Sequence, residues 1–376
     1  VYPMARALNR GRPYLRAMFW LDRKRMLLAG AVVTLLATMP VGLAAQPNGP
    51  SPATPWDRSS AALALEGVDI DPVVDQLHQL TVTGADTVLV ESLEAVRLRP
   101  DWSEPARDLA ILEYTKTLSA LPADSVPPNV IAYLRAYPAM TLVPHEDHPQ
   151  GRVPLFNVRA AAAGLEQLWL REEALLEGQA LLRSNPRGLT DAFTIEDAPA
   201  VHAGYLQALE QATPEELKVL STDAGARLQD APKLTPLAGR AALLVRDLPT
   251  LETTLRHGEG DAVHRLLQEA AAVLSRDERL DLFESSLSNG RRDSANLAIA
   301  TLYPALAGLP AADEALLARL GDPALGAGAA LALAQSPSLA TRQALEALAV
   351  TTDRPASRRA RLALQLLDEG LLEGTR

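Results

Sequence analysis

The chain has 376 residues, of which 48% are hydrophobic but only 4% aromatic, and it contains no cysteine. The lack of cysteine excludes disulfides, thiolate metal sites, cysteine nucleophiles and lipid attachment at an N-terminal cysteine. Seven of the 36 basic residues and one of the 46 acidic residues lie in residues 1–45, so the rest of the chain carries a net charge of −16 and nucleic acid is not expected as a partner. A core of small and aliphatic residues suits closely packed helices, and the predicted fold class is all-α.

Residues 1–45 contain the parts of a secretory signal peptide. A basic triplet at 23–25 precedes an uncharged apolar run at 26–45, which Pro40 interrupts near its end. This order predicts cleavage near Ala44–Gln46 and export to the periplasm or beyond. The alternative is that the run is retained as an inner-membrane anchor, because roughly 20 apolar residues can just span a bilayer. Contact with a membrane is expected only in that case.

Residues 46–57 are rich in proline and are predicted to form a linker. The segment 58–150 is then predicted to be an N-terminal helical region. Asp86 and Ser103 are suitable caps for two successive helices, and Pro127 marks the start of a short third one.

The least helical part of the chain is Tyr137–Pro154, which contains four prolines and one glycine. Within it, His145, Glu146 and His148 are potential ligands of zinc or another transition metal, since imidazole and carboxylate groups are common in such sites. Neighbouring loop residues rarely converge on one ion without a distant further ligand, so a solvated polar loop is the alternative interpretation. No other cofactor is predicted.

The middle region, 151–274, is also predicted to be helical. Apolar residues recur at three- and four-residue steps from Asn157 to Arg183, and Thr213 begins a capping box before another helix. A second polar set lies at 257–264. It is more simply explained if Asp261 caps the following helix than if it binds a metal.

Residues 275–376 show a repeat with a period of 31 residues. A capping box at Ser275 opens this region, and three segments have the pattern of a second helix in a helix pair: Arg291–Leu306, Asp322–Ala334 and Asp353–Leu367. Two columns keep the same step through all three segments, one of alanine and one of leucine: Ala298, Ala329 and Ala360, and Leu302, Leu333 and Leu364. A fixed period of this size indicates one helix pair per repeat, each packed on the next.

The repeats resemble HEAT-like repeats of the short phycobilisome-lyase type over about residues 275–370. That family shows Asp-Pro, an apolar residue and Arg before an alanine-rich helix, and the best copy here opens with Leu320-Gly-Asp-Pro323 and Leu325. Two positions depart from the pattern: Gly326 stands where the family has Arg, and Arg291 stands where the first copy should have Asp. The resemblance implies a helical-repeat solenoid at the C-terminus, preceded by the helical N-terminal and middle regions.

The predicted function is that of an exported scaffold or adaptor that binds a protein partner in the cell envelope, because helical repeats form extended binding surfaces. The sequence has neither a Gly-x-Ser-x-Gly elbow nor a glycine-rich phosphate loop. The alternative is a periplasmic enzyme with its site in the loop at 137–154, with or without the metal described above.

Overall fold

Helices account for almost all of the regular secondary structure. The structure, a computed structural model, describes residues 56–84, 86–148, 150–351 and 354–373. These residues contain eighteen α-helices and one two-stranded antiparallel sheet, which confirms the prediction of an all-α fold. The predicted signal peptide and most of the predicted linker lie outside the described residues.

The elements before and including the short sheet are α1 (Arg58–Leu63), α2 (Asp71–Val82), α3 (Asp86–Arg97), α4 (Glu104–Thr117), α5 (Pro128–Ala136), β1 (Leu142–Pro144) and β2 (Arg152–Pro154). The next six helices are α6 (Val158–Ser184), α7 (Pro186–Ile195), α8 (Pro199–Ala208), α9 (Pro214–Arg227), α10 (Thr235–Leu244) and α11 (Leu248–His257). The last seven are α12 (Gly260–Val273), α13 (Arg276–Asn289), α14 (Arg292–Thr301), α15 (Pro310–Leu317), α16 (Gly326–Leu333), α17 (Leu339–Ala349) and α18 (Pro355–Glu373).

Several helices begin where the sequence predicts. At Thr213 the side chain accepts the N–H of Glu216, whose carboxylate in turn accepts the N–H of Thr213, and Ser275 forms the same capping box with Glu278. Asn157 caps α6 by accepting the N–H of Ala160. These predictions hold because each cap involves residues only three positions apart, so the signal is local.

The last two residues of the predicted linker, Trp56 and Asp57, make structural contacts. Asp57 forms a capping box with Ser60 at the start of α1, and the indole of Trp56 donates a hydrogen bond of 2.8 Å to Glu104. The indole therefore connects Trp56 to α4, and the cap fixes the start of α1.

The long helix α6 joins two hydrophobic clusters. Its first half packs with α2 to α5 through Leu165 and Trp169, and its second half packs with α7 to α10 through Ala174 and Leu182. The predicted boundary at 150/151 therefore falls inside the first packed region, and the change from one cluster to the next occurs within α6. A third cluster runs from Ala242 to Ala363, across the predicted boundary at 274/275.

From α8 onward, each helix contacts the helix two places further along the chain. One series consists of α8, α10, α12, α14, α16 and α18, and the other of α9, α11, α13, α15 and α17. Helices of the first series carry the 31-residue columns. All three alanines of the first column are fully buried, while Leu302 and Leu333 are buried and Leu364 is partly buried against the same cluster. The alanines let successive helices approach closely, which explains why the position recurs.

The second repeat segment begins later than predicted. Its helix starts at Gly326 rather than Asp322, because the Asp322 carboxylate accepts the N–H groups of Ala324 and Leu325 and holds a turn there. The Arg359 guanidinium from α18 packs over Gly326 and donates two bonds of 2.7 Å to the carbonyls of Leu320 and Asp322. A side chain at position 326 would collide with this arginine, so the glycine at this position has a steric cause.

Candidate functional site

A cleft of about 700 Å³ lies where α8, α10 and α12 pack in succession, with further lining from α6 and α7. Three neighbouring helices of one series therefore contribute to a single site. No motif in the sequence marks this cleft, because its lining residues come mainly from five helices between positions 171 and 269. Its size lies within the range of known ligand-binding clefts.

A row of alternating charges crosses the cleft. The Arg240 guanidinium lies between two carboxylates, with Nη1 2.6 Å from Glu269 Oε2 and Nη2 3.6 Å from Glu210 Oε1. Glu210 follows α8, Arg240 lies on α10 and Glu269 lies on α12, so each residue is separated from the next by about the length of one helix pair. In the sequence, the only signal of this row is that charges of opposite sign recur at intervals of about one helix pair.

Two further arginines line the cleft without an acidic partner. Arg171 on α6 donates through Nε to the amide oxygen of Gln207 at 3.0 Å, which leaves its charge uncompensated. Arg265 on α12 is exposed. Among the described residues, neither guanidinium forms an ion pair, so both can bind an external carboxylate with charge-assisted hydrogen bonds.

His202 lines the cleft but has a structural role. Its ring stacks on Phe193 with centroids 3.9 Å apart and planes 5° apart. Its Nε2 lies 3.1 Å from the carbonyl oxygen of Phe193 and 2.8 Å from that of Glu196, so Nε2 carries a proton and donates to them. These bonds satisfy carbonyls at the C-terminal end of α7 and orient α8 against it.

The predicted metal ligands lie at the tip of the β1–β2 hairpin. The rings of His145 and His148 are close, with centroids 5.1 Å apart, but the Glu146 carboxylate pairs with Arg58 at 2.8 Å. His145 Nδ1 accepts the N–H of Asp147 and is thereby occupied. In the described parts of the chain, no three His, Asp or Glu side chains are grouped closely enough to hold a metal ion. The metal site at His145, Glu146 and His148 stays a prediction.

A buried carboxylate fixes the base of this hairpin. Asp108 on α4 is fully buried and accepts the Tyr137 hydroxyl at 2.8 Å, together with the N–H groups of Met140 at 3.0 Å and Thr141 at 2.7 Å. Burial raises the pKa of the Asp108 carboxyl above its usual range, although the backbone N–H of Thr141 and the Tyr137 hydroxyl act in the opposite direction. The segment after α5 is therefore held by one side chain from a different helix.

The substitution Asp108→Asn tests whether the pKa of this carboxyl is raised in the fold. The pKa of Asp108 is raised in the fold, so its favourable contribution to stability is complete below its unfolded-state pKa of about 3.9 and is lost as the pH rises through the folded-state value. Asparagine can keep all three bonds if the Tyr137 hydroxyl accepts instead of donating. We therefore expect the variant to gain stability relative to the native chain as the pH rises from 4 to 7, measured by urea unfolding at each pH.

The control for this prediction is Asp108→Ala, which removes the acceptor for all three donors and should be less stable than the asparagine variant at every pH. A stability difference between the native chain and Asp108→Asn that stays constant, or that favours the native chain increasingly towards neutral pH, would contradict the raised pKa.

The second polar set also has structural partners. Glu259 forms an ion pair of 2.6 Å with Arg291, and His264 Nε2 lies 3.1 Å from the side-chain amide nitrogen of Gln268. The cap expected from Asp261 is not formed. Glu259 is the residue before α12 and Asp261 lies in the first turn, where its charge still favours the helix.

Comparison with known proteins finds no relative: no family model, no curated protein and no solved structure matches the chain. The resemblance of residues 275–370 to HEAT-like repeats therefore stays a prediction. Among the helices that the structure describes, none has the length and apolar character needed to cross a bilayer.

Proposed function

We propose that the chain is an exported helical-repeat scaffold or adaptor that binds a protein partner in the cell envelope. The export part of this proposal is based on the apolar run at 26–45 and its basic flank. The repeat part is supported by the contacts between alternate helices from α8 to α18. This order of contacts is the one that stacked helix pairs make in a solenoid.

On this proposal the array is longer than the sequence period indicates. The helices α9 to α18 form five consecutive pairs with the same pattern of contacts, whereas the 31-residue columns extend through only three. The upstream pairs have different loop lengths and lack the matching alanines. Each pair still buries its apolar side against its neighbours, which is the physical requirement of a stacked array.

The observation that best supports partner binding is the cleft along α8, α10 and α12. It combines arginines, glutamates and apolar side chains, most of them on helices of one series. Interfaces between proteins typically combine an apolar centre with a polar rim, and arginine is enriched in them. A site assembled from successive stacked helices is also rigid, so binding requires little ordering of the backbone.

Photocrosslinking in cells tests the proposal. A photoreactive amino acid at Ala262, which lines the cleft on α12, is expected to attach a specific envelope protein and to give a crosslinked product in the periplasmic fraction. The matched control is Ala272, which is exposed on the same helix and does not line the cleft. Equal labelling from both positions, or a product found only in the cytoplasmic fraction, would count against the proposal.

A further inference from the structure

We infer that the cleft along α8, α10 and α12 binds an acidic segment of its protein partner, in which apolar side chains flank the carboxylates. This inference rests on the proposed function and adds the chemical class of the bound segment. Arg171 and Arg265 are the residues assigned to its carboxylates.

The first argument is the distribution of charge in the cleft. The lining holds three arginines and two glutamates, and both glutamates are directed at Arg240. The positive charge that is left belongs to Arg171 and Arg265, which have no ion-pair partner among the described residues. The chain beyond residue 45 has a net charge of −16, so this local excess of positive charge is opposite in sign to the net charge of the chain.

The second argument is the apolar part of the lining. Pro199, Leu206 and Pro236 line the same cleft as the two arginines, and Leu206 is partly exposed. An apolar side chain of the bound segment can cover these atoms while its neighbouring carboxylates reach the guanidiniums. Burial of apolar area supplies affinity, and the charge-assisted hydrogen bonds supply the preference for an acidic segment.

The same lining disfavours a polyanion such as a nucleic acid. Glu210 and Glu269 extend across the cleft on either side of Arg240, so a continuous row of phosphates would meet two carboxylates. A peptide with separated carboxylates avoids both of them. Charge complementarity therefore favours a protein segment with acidic residues spaced by apolar ones.

The experiment uses the full chain with the photoreactive amino acid at position 262, in the native background and in Arg171→Glu and Arg265→Glu. Mass spectrometry of the product identifies the attached segment of the partner. We expect a segment with at least two acidic residues and apolar neighbours, and a loss of yield of about tenfold or more in each charge reversal. Arg256→Glu, an exposed arginine of α11 that does not line the cleft, is the control and should leave the yield unchanged.

The outcomes separate the inference from the proposed function. The inference of an acidic segment would be overturned if a neutral or basic segment were attached, or if the yield were unchanged in Arg171→Glu and Arg265→Glu. The proposed scaffold function would remain intact in either case. Failure of position 262 to attach any partner would overturn both. Melting temperatures of the three variants close to that of the native chain would show that a loss of yield does not come from unfolding. A synthetic peptide of the attached sequence should bind about tenfold more tightly than its Asn and Gln counterpart.

Discussion

Gly204→Val is expected to lower the free energy of unfolding by about 3 kcal/mol or more, because α6 and α8 pack with almost no space between their backbones. A Cβ atom at Gly204 would lie 2.7 Å from Ala174 Cβ and 2.9 Å from the backbone nitrogen of Leu175, and it would also meet the carbonyl oxygen of Arg171. Backbone atoms of a long helix cannot move aside as a flexible side chain can. The clash must separate the two helices, and urea unfolding measures the loss of stability.

Gly164→Ala is the control, because Gly164 lies on α6, the helix against which Gly204 packs, and a Cβ atom added there would meet no atom within 4 Å. There we expect stability to rise by up to about 1 kcal/mol, since alanine favours the helix more than glycine does. Similar changes of stability in both variants would contradict the close packing of α6 against α8. Separation of these helices would also move Arg171, so Gly204→Val is expected to weaken partner binding at the cleft.

Asp313→Ala is expected to have the second large effect, with a loss of about 3 kcal/mol. Asp313 on α15 is buried and accepts the hydroxyls of Tyr303 at 2.7 Å and Ser336 at 2.6 Å, the hydroxyl of Thr341, and the N–H of Gly308 at 3.3 Å. Burial and the neighbouring carboxylate raise the pKa of Tyr303, which therefore remains a donor at neutral pH. Removal of the acceptor leaves these buried donors without a partner.

The control is Asp293→Ala, an exposed acid on α14 with no partner among the described residues, which should change stability by about 0.5 kcal/mol or less. Asp313→Asn keeps one acceptor oxygen and should fall between the native chain and the alanine variant. Urea unfolding of all three variants checks this order. A change at Asp313 as small as that at Asp293 would show that the four donors find other partners.

Buried aspartates that accept several hydrogen bonds occur in three parts of the fold. Asp247 precedes α11, accepts the hydroxyls of Ser221 and Thr250 at 2.9 Å each, and pairs with Lys218 at 2.8 Å. The Lys218 ammonium and these hydroxyls, acting against the cost of burial, hold the pKa of Asp247 below its usual range. Asp108 and Asp313 have corresponding roles near other parts of the fold. In each case a single carboxylate links segments that are distant in sequence.

The sequence alone was sufficient for the helical class and for several helix starts. The helix starts at Asn157, Thr213 and Ser275 depend on hydrogen bonds between residues three apart, and a short stretch of sequence contains both partners of such a bond. The 31-residue alanine column also identified buried positions correctly, because a recurring small residue reflects a recurring close contact. These features are short-range or periodic, and a single sequence therefore contains them.

Only the tertiary structure brings together the row of Glu210, Arg240 and Glu269 and the bonds that Asp108 makes beyond residue 136. Their partners come from different helices, and an isolated acid or arginine in the sequence has many possible neighbours. The close packing at Gly204 depends in the same way on the path of α6. Which charges remain uncompensated in the cleft follows from these long-range contacts, and for that reason the candidate site emerged from the packing of helices and not from a motif.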